Sequence, residues 1–189
     1  RRALADLSAR AAAARAGGER SLLLVYFSGH AKDGALRFGQ AGLPLAELRE
    51  ALQAAPADVR IGLLDACRSG AIARTKGVRP APEFQVTAPG EAGPRGLVLI
   101  TSSAADEDSQ ESDALGASYF THSLASGLLG DADASGDGRV TLAEAYAHAY
   151  GRTVGATAGS AGGTQHPAFL YDLGGAGDQM VFNALRRVG

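Results

Sequence analysis

Apolar residues fall into two kinds of pattern along this chain. Continuous short runs stand at 21–27 (SLLLVYF), 59–66 (VRIGLLDA) and 97–101 (LVLIT). Their length, their content of branched residues and the glycines near them predict strands covered on both faces. Elsewhere apolar positions recur three and four residues apart. Residues 2–16 place Leu4, Leu7 and Ala11 on one face before Gly17-Gly18, a helix with a glycine stop. Pro44 followed by Leu45, Leu48 and Leu52 predicts a helix with proline in its first turn. Ser118 is placed to cap a third helix, with Phe120, Leu124 and Leu128 on one face and Gly130 as its stop. Thr141 opens a fourth, carrying Leu142, Ala145, Tyr146, Ala149 and Tyr150. A short arm at 36–38 after Asp33-Gly34 and short strands at 168–172 and 179–183 complete the elements; 69–96, 102–117 and 155–167 read as loops.

Strands alternating with helices predict an α/β sandwich, a mainly parallel central sheet flanked by helices. A chain of 189 residues, 46% hydrophobic, suffices for one core, so a single domain over 1–189 is expected. A formal charge of −2, 6% aromatics and no tryptophan argue against nucleic acid as a partner. No apolar run approaches the roughly 20 residues of a membrane helix, so no membrane partner is expected either. The single cysteine excludes an internal disulfide and suits a reducing, cytoplasmic setting. A start at Arg1-Arg2 without methionine reads as a piece of something longer.

In parallel sheets, sites form beyond the carboxyl ends of the strands. The first strand runs into Ser28-Gly29-His30 and the second into Asp65-Ala66-Cys67-Arg68-Ser69-Gly70. If those strands are neighbours, the only cysteine and a histidine emerge side by side. An imidazole beside a thiol is the usual means of making the thiolate nucleophile. Gly29 lets the chain approach a substrate closely, and the Gly29 and Cys67 amides are a natural pair of oxyanion donors. Taken alone, the cysteine reads as an inert small hydrophobe and the histidine as a loop residue. Their joint placement after two apolar strands favours a dyad.

An apolar strand ending in Ser-Gly-His, then one ending in Asp-x-Cys-x-Ser-Gly, resembles the metacaspases and bacterial caspase-like cysteine peptidases. The likeness runs from about residue 20 to the end. It implies a caspase-type sandwich, a Cys67/His30 dyad and protein or peptide substrates, with no cofactor required. The family's usual glycine after the histidine is Ala31 here, and Ala71–Lys76 lacks the acidic residues of the family's calcium site. The family's first strand and helix are expected before residue 1, on an N-terminal fragment. Metacaspases hold Arg or Lys with an Asp and a Ser matching Asp65 and Ser28, so cleavage after basic residues is implied. Asp65 shares a side with Cys67 in a two-residue period, and a carboxylate suits a guanidinium. The alternative is that Asp65 caps a loop or pairs with Arg68.

Two further segments bear on regulation. Relatives often mature by a cut, and 69–96 holds Arg74, Lys76, Arg79 and Arg95, which the pocket would accept. Self-processing or an upstream activating protease would act there, as in a zymogen. Asp106, Glu107, Asp108, Glu111 and Asp113 read as a solvated charge run before they read as a recognition surface. The loop DASGDGRVTLAE, 133–144 within 131–144, sets Asp133, Ser135, Asp137, the Arg139 carbonyl, Thr141 and Glu144 at EF-hand ligand positions. It is also a complete capping box, Thr141-Leu-Ala-Glu144, which is the favoured reading over Ca2+. His166 is expected in a turn, and His122 and His148 on helices. A non-catalytic interaction module of the same fold and a calcium-responsive regulatory domain are the rival functions.

Overall fold

The protein is described from a computed structural model covering residues 1–74, 95–112, 115–174 and 180–185. Its main sheet has four strands: β1 (Leu22–Ser28), β5 (Val59–Asp65), β6 (Arg95–Thr101) and β10 (Ala168–Gly174), side by side in that order. β1, β5 and β6 are parallel, and β10 runs antiparallel to β6. The three predicted apolar runs thus form the core of a mainly parallel sheet, and β5 is buried almost throughout.

Helices cover both faces of β5 and β6, while β1, at the edge of the sheet, has only one face covered. Leu22, Leu24 and Tyr26 are exposed, so the expected cover on both faces does not hold for this run. On one side Leu23, Leu64, Leu97 and Leu99 pack with α1 (Arg2–Ala16) and α2 (Leu45–Ala54) through Ala11, Leu45, Leu48 and Leu52. On the other, Val59, Ile61, Leu63, Val98 and Ile100 meet α3 (Tyr119–Ser126) and α4 (Leu142–Thr157) through Phe120, Leu124, Leu142, Ala145 and Ala149. No described helix is long and apolar enough to cross a membrane.

Several boundaries differ from the sequence reading. Pro44 ends a strand and stands one residue before α2, where its fixed φ of −55° leads into the first turn. The arm at 36–38 is the centre of a small antiparallel sheet, β2 (Ala31–Lys32), β3 (Ala35–Phe38) and β4 (Ala41–Pro44). A short hairpin, β7 (Glu111–Ser112) with β8 (Ala117–Ser118), interrupts the supposed 102–117 loop. α4 continues to Thr157, past the start of the supposed 155–167 loop. The last strand, β11 (Val181–Ala184), leaves the main sheet and pairs with β9 (Arg139–Thr141) inside the EF-hand-like loop.

In that loop the capping box is formed. Glu144 N–H donates to Thr141 Oγ1 at 3.2 Å, and Thr141 N–H donates back to Glu144 Oε2 at 2.9 Å. Asp133 accepts from the amides of Gly136, Asp137 and Gly138, so its oxygens are held by the loop's own backbone. Among the described residues no group of three or more His, Cys, Asp or Glu is arranged to hold a metal ion. Burial pushes the Glu144 carboxyl up, but hydrogen bonds from Thr141 and Ser135 outweigh it and leave it below the usual range. With the folded value depressed, this contribution is complete above an unfolded value of about 4.3 and is lost as pH falls through the folded one. Thr141→Ala should therefore cost about 1 kcal/mol near neutrality. Thermal melts should show a midpoint roughly 2–4 °C lower, with the gap to wild type narrowing in acid; an undiminished gap in acid would contradict this assignment.

Candidate active site

The β1–β5 ladder sets the site. Ser28 lies opposite Asp65 in parallel register, on strands roughly 4.8 Å apart. His30 and Cys67 each follow by two residues, so both leave the same edge of the sheet. His30 is exposed and Cys67 is half-buried. The Cys67 Sγ–H donates to the Ser109 carbonyl at 3.8 Å, a long contact from a loop neighbour.

Gly29 has a different role from the one its position suggested. Its N–H continues the ladder, donating to the Asp65 carbonyl at 3.0 Å, so this amide is not free to serve an oxyanion. The reason is register: the parallel pairing runs one residue beyond Ser28. What requires glycine here is the turn, since its φ is +153° and a Cβ would meet the Phe27 ring at 3.2 Å. Among the described residues the Cys67 amide makes no backbone hydrogen bond, which leaves it available.

The loop carrying Cys67 is braced from the end of β6. Ala66 N–H donates to Ser102 Oγ at 3.1 Å, and Ser103 Oγ donates to the Ala66 carbonyl at 3.3 Å. Arg68, with φ of +54°, gives its N–H to the Glu107 carbonyl at 2.8 Å. Gly70 packs so closely on this segment that a Cβ would lie 2.7 Å from the Ala104 carbonyl carbon. The terminal glycine of the Asp-x-Cys-x-Ser-Gly stretch is thus set by this approach of two backbones.

Asp65 is 3% exposed and its carboxylate takes three hydroxyl donors. Ser109 Oγ donates to Oδ1 at 2.8 Å, while Ser118 Oγ and Thr121 Oγ1 donate to Oδ2. Ser118 is the cap of α3, with its Oγ also accepting from Thr121 N–H, so the carboxylate sits where a helix start favours negative charge. Because Thr121 gives its only hydroxyl proton to Asp65, Tyr26 must donate to Thr121 Oγ1 across 2.9 Å. Arg68 is not the partner of Asp65; it lies 3.6 Å from Asp108, both largely exposed, where an ion pair is worth little. Ser28 is exposed at the edge of this arrangement.

Other predicted residues lie elsewhere. Arg74 ends a 3-10 turn (Ser69–Arg74) and Arg95 opens β6 opposite Gly174, while Lys76 and Arg79 fall outside the described residues. Asp106, Asp108 and Glu111 are exposed, and Asp113 is also outside. Glu107 departs from that run. It accepts the His166 backbone N–H at 2.7 Å and lies 2.6 Å from the His166 Nδ1, tying the loop to the turn before β10. His148 Nε2 is 3.2 Å from Ser126 Oγ between α4 and α3, and His122 lies on α3, as expected.

Ser102, Ser103, Ser109, Ser118, Thr121 and Gln165 escaped the sequence reading as site residues. A run of hydroxyls after the third strand was the only sign of the first three; nothing marked Gln165, 55 positions beyond its partner Gln110.

Sheet order, strand directions and helical cover define a caspase-like fold. The crystal structure of caspase-1 from Spodoptera frugiperda is similar to 88% of this chain and to 64% of that chain, with a TM-score of 0.55 and 14% sequence identity. The chain thus spans less than two thirds of that protein's length, and at this identity the likeness concerns fold. No protein-family model matches the sequence, and no curated protein matches it.

Proposed function

We propose that this chain is a cysteine endopeptidase in which Cys67 attacks a peptide carbonyl after Arg or Lys. The observation that carries the reading is the register: Ser28 opposite Asp65 brings His30 and Cys67 off one edge of the sheet, on a caspase-like fold. In this reading His30 takes the thiol proton and returns it to the leaving amine, so the acyl-enzyme forms as the C–N bond breaks. Water then hydrolyses the thioester and regenerates the thiol. The Cys67 amide stabilises the oxyanion, and Asp65 with Ser28 selects the basic side chain. Control by cutting within 69–96, at Arg74, Lys76, Arg79 or Arg95, belongs to the same reading.

A non-catalytic module of the same fold is the second reading. It is favoured by the thiol's contact, which runs to the Ser109 carbonyl, and by Asp65 being filled by hydroxyls. A fluorogenic peptide panel with Arg, Lys or Asp at the cleaved position separates them. Turnover of the Arg and Lys members and not of the Asp member is expected. Absence of turnover across the panel would favour the module, and preference for Asp would overturn the pocket.

A further inference from the structure

We propose that Gln165 is a positioning residue for substrate selection, acting through Ser109 on the Asp65 carboxylate. This rests on the reading of Asp65 as the receptor for a basic side chain. Gln165 lies in the turn between α4 and β10 and is fully buried. A buried primary amide is costly unless its polar atoms are paired, and here they are. Its Oε1 accepts the Gln110 N–H at 2.8 Å; its Nε2 donates to the Ser102 carbonyl at 2.7 Å and lies 3.4 Å from Ser109 Oγ. A carbonyl can only accept and a backbone amide only donate, so the orientation of the side-chain amide is determined.

One side chain therefore joins the end of β6, which braces the Cys67 loop, to the 109–110 peptide. That peptide touches both functional groups: the Ser109 carbonyl receives the Cys67 thiol and the Ser109 hydroxyl donates to Asp65 Oδ1. With Nε2–H of Gln165 directed at one lone pair of Ser109 Oγ, the hydroxyl proton is directed at Asp65. Ser118 and Thr121 both fall on Oδ2, so Oδ1, with one donor, is the oxygen that keeps an acceptor position for an incoming ammonium or guanidinium. Ser109, held by Gln165, sets how that oxygen is presented.

The test compares matched peptides carrying Arg or citrulline at the cleaved position, since citrulline keeps the shape and lacks the charge. Rates are taken on the full chain and normalised to titrated active thiol. Wild type should favour Arg. Gln165→Leu and Ser109→Ala should each lower the Arg-to-citrulline ratio of kcat/KM by about tenfold or more, the scale set by small misplacements. The double variant should lose no more than either single one, because both act on one path. Gln165→Met keeps the length of the side chain and cannot donate; it should show the same loss and serves if the leucine variant unfolds. A purely structural glutamine would lower the melting temperature and leave the ratio of the folded fraction unchanged. An unchanged ratio in either Gln165 variant, or additive losses in the double variant, would overturn the proposal alone. Wild type without Arg preference would overturn the basic-pocket reading on which it rests.

Discussion

Cys67→Ala is expected to lower peptide cleavage by about a millionfold, the scale seen when a hydrolase loses its covalent nucleophile. The fold should survive. Cys67 is half-buried and its sulfur makes one long contact, so stability should change by no more than about 1 kcal/mol. Circular dichroism and a thermal melt check the second claim, and single-turnover kinetics the first. Incubating wild type and Cys67→Ala side by side, with fragments mapped by mass spectrometry, also tests control by cutting. Ends at Arg74, Lys76, Arg79 or Arg95 in the wild type alone would support self-processing. Full turnover by Cys67→Ala would remove the thiol from the mechanism altogether.

Asp65→Asn should have the second largest effect. The change preserves shape and removes charge; the one remaining oxygen can keep Ser118 and Thr121, while Ser109 must turn its hydroxyl to accept from the new amide NH2. If Asp65 receives the substrate cation, kcat/KM for Arg and Lys peptides should fall roughly 10- to 100-fold, as for loss of a desolvated charge pair. The loss should appear mainly in KM. If Asp65 only anchors the start of α3, the variant melts earlier and keeps its preference for basic residues. Asp65→Ala is the less useful variant, since it leaves three hydroxyls facing a hole and costs stability under either reading.

How far the sequence reached differs between fold and site. VRIGLLDA satisfies its apolar side chains between two layers of helices, so strand and burial were legible there. SLLLVYF reads the same way and yet leaves Leu22, Leu24 and Tyr26 exposed, because it lies at the edge of the sheet. The three-residue strand at 139–141 was not legible, because its pairing with 181–184 comes from a segment some forty positions away. Gly29 illustrates the same limit within the site. Its glycine was legible, but whether its amide faced a substrate or the Asp65 carbonyl depended on where the ladder stops.

Residue order alone settles that one thiol and one imidazole each follow an apolar strand, and that a carboxylate lies two residues before the thiol. Patterning and order suffice for that, since a run of branched apolar residues favours extended backbone. Only the tertiary structure decided what surrounds those groups. Ser109, Ser118, Thr121 and Gln165 come from three separate segments, and each is an ordinary polar residue in its own stretch of chain. They converge on Asp65 and its loop because a buried carboxylate must have its oxygens paired. Packing β6, α3 and the turn before β10 against β5 brings those donors within reach.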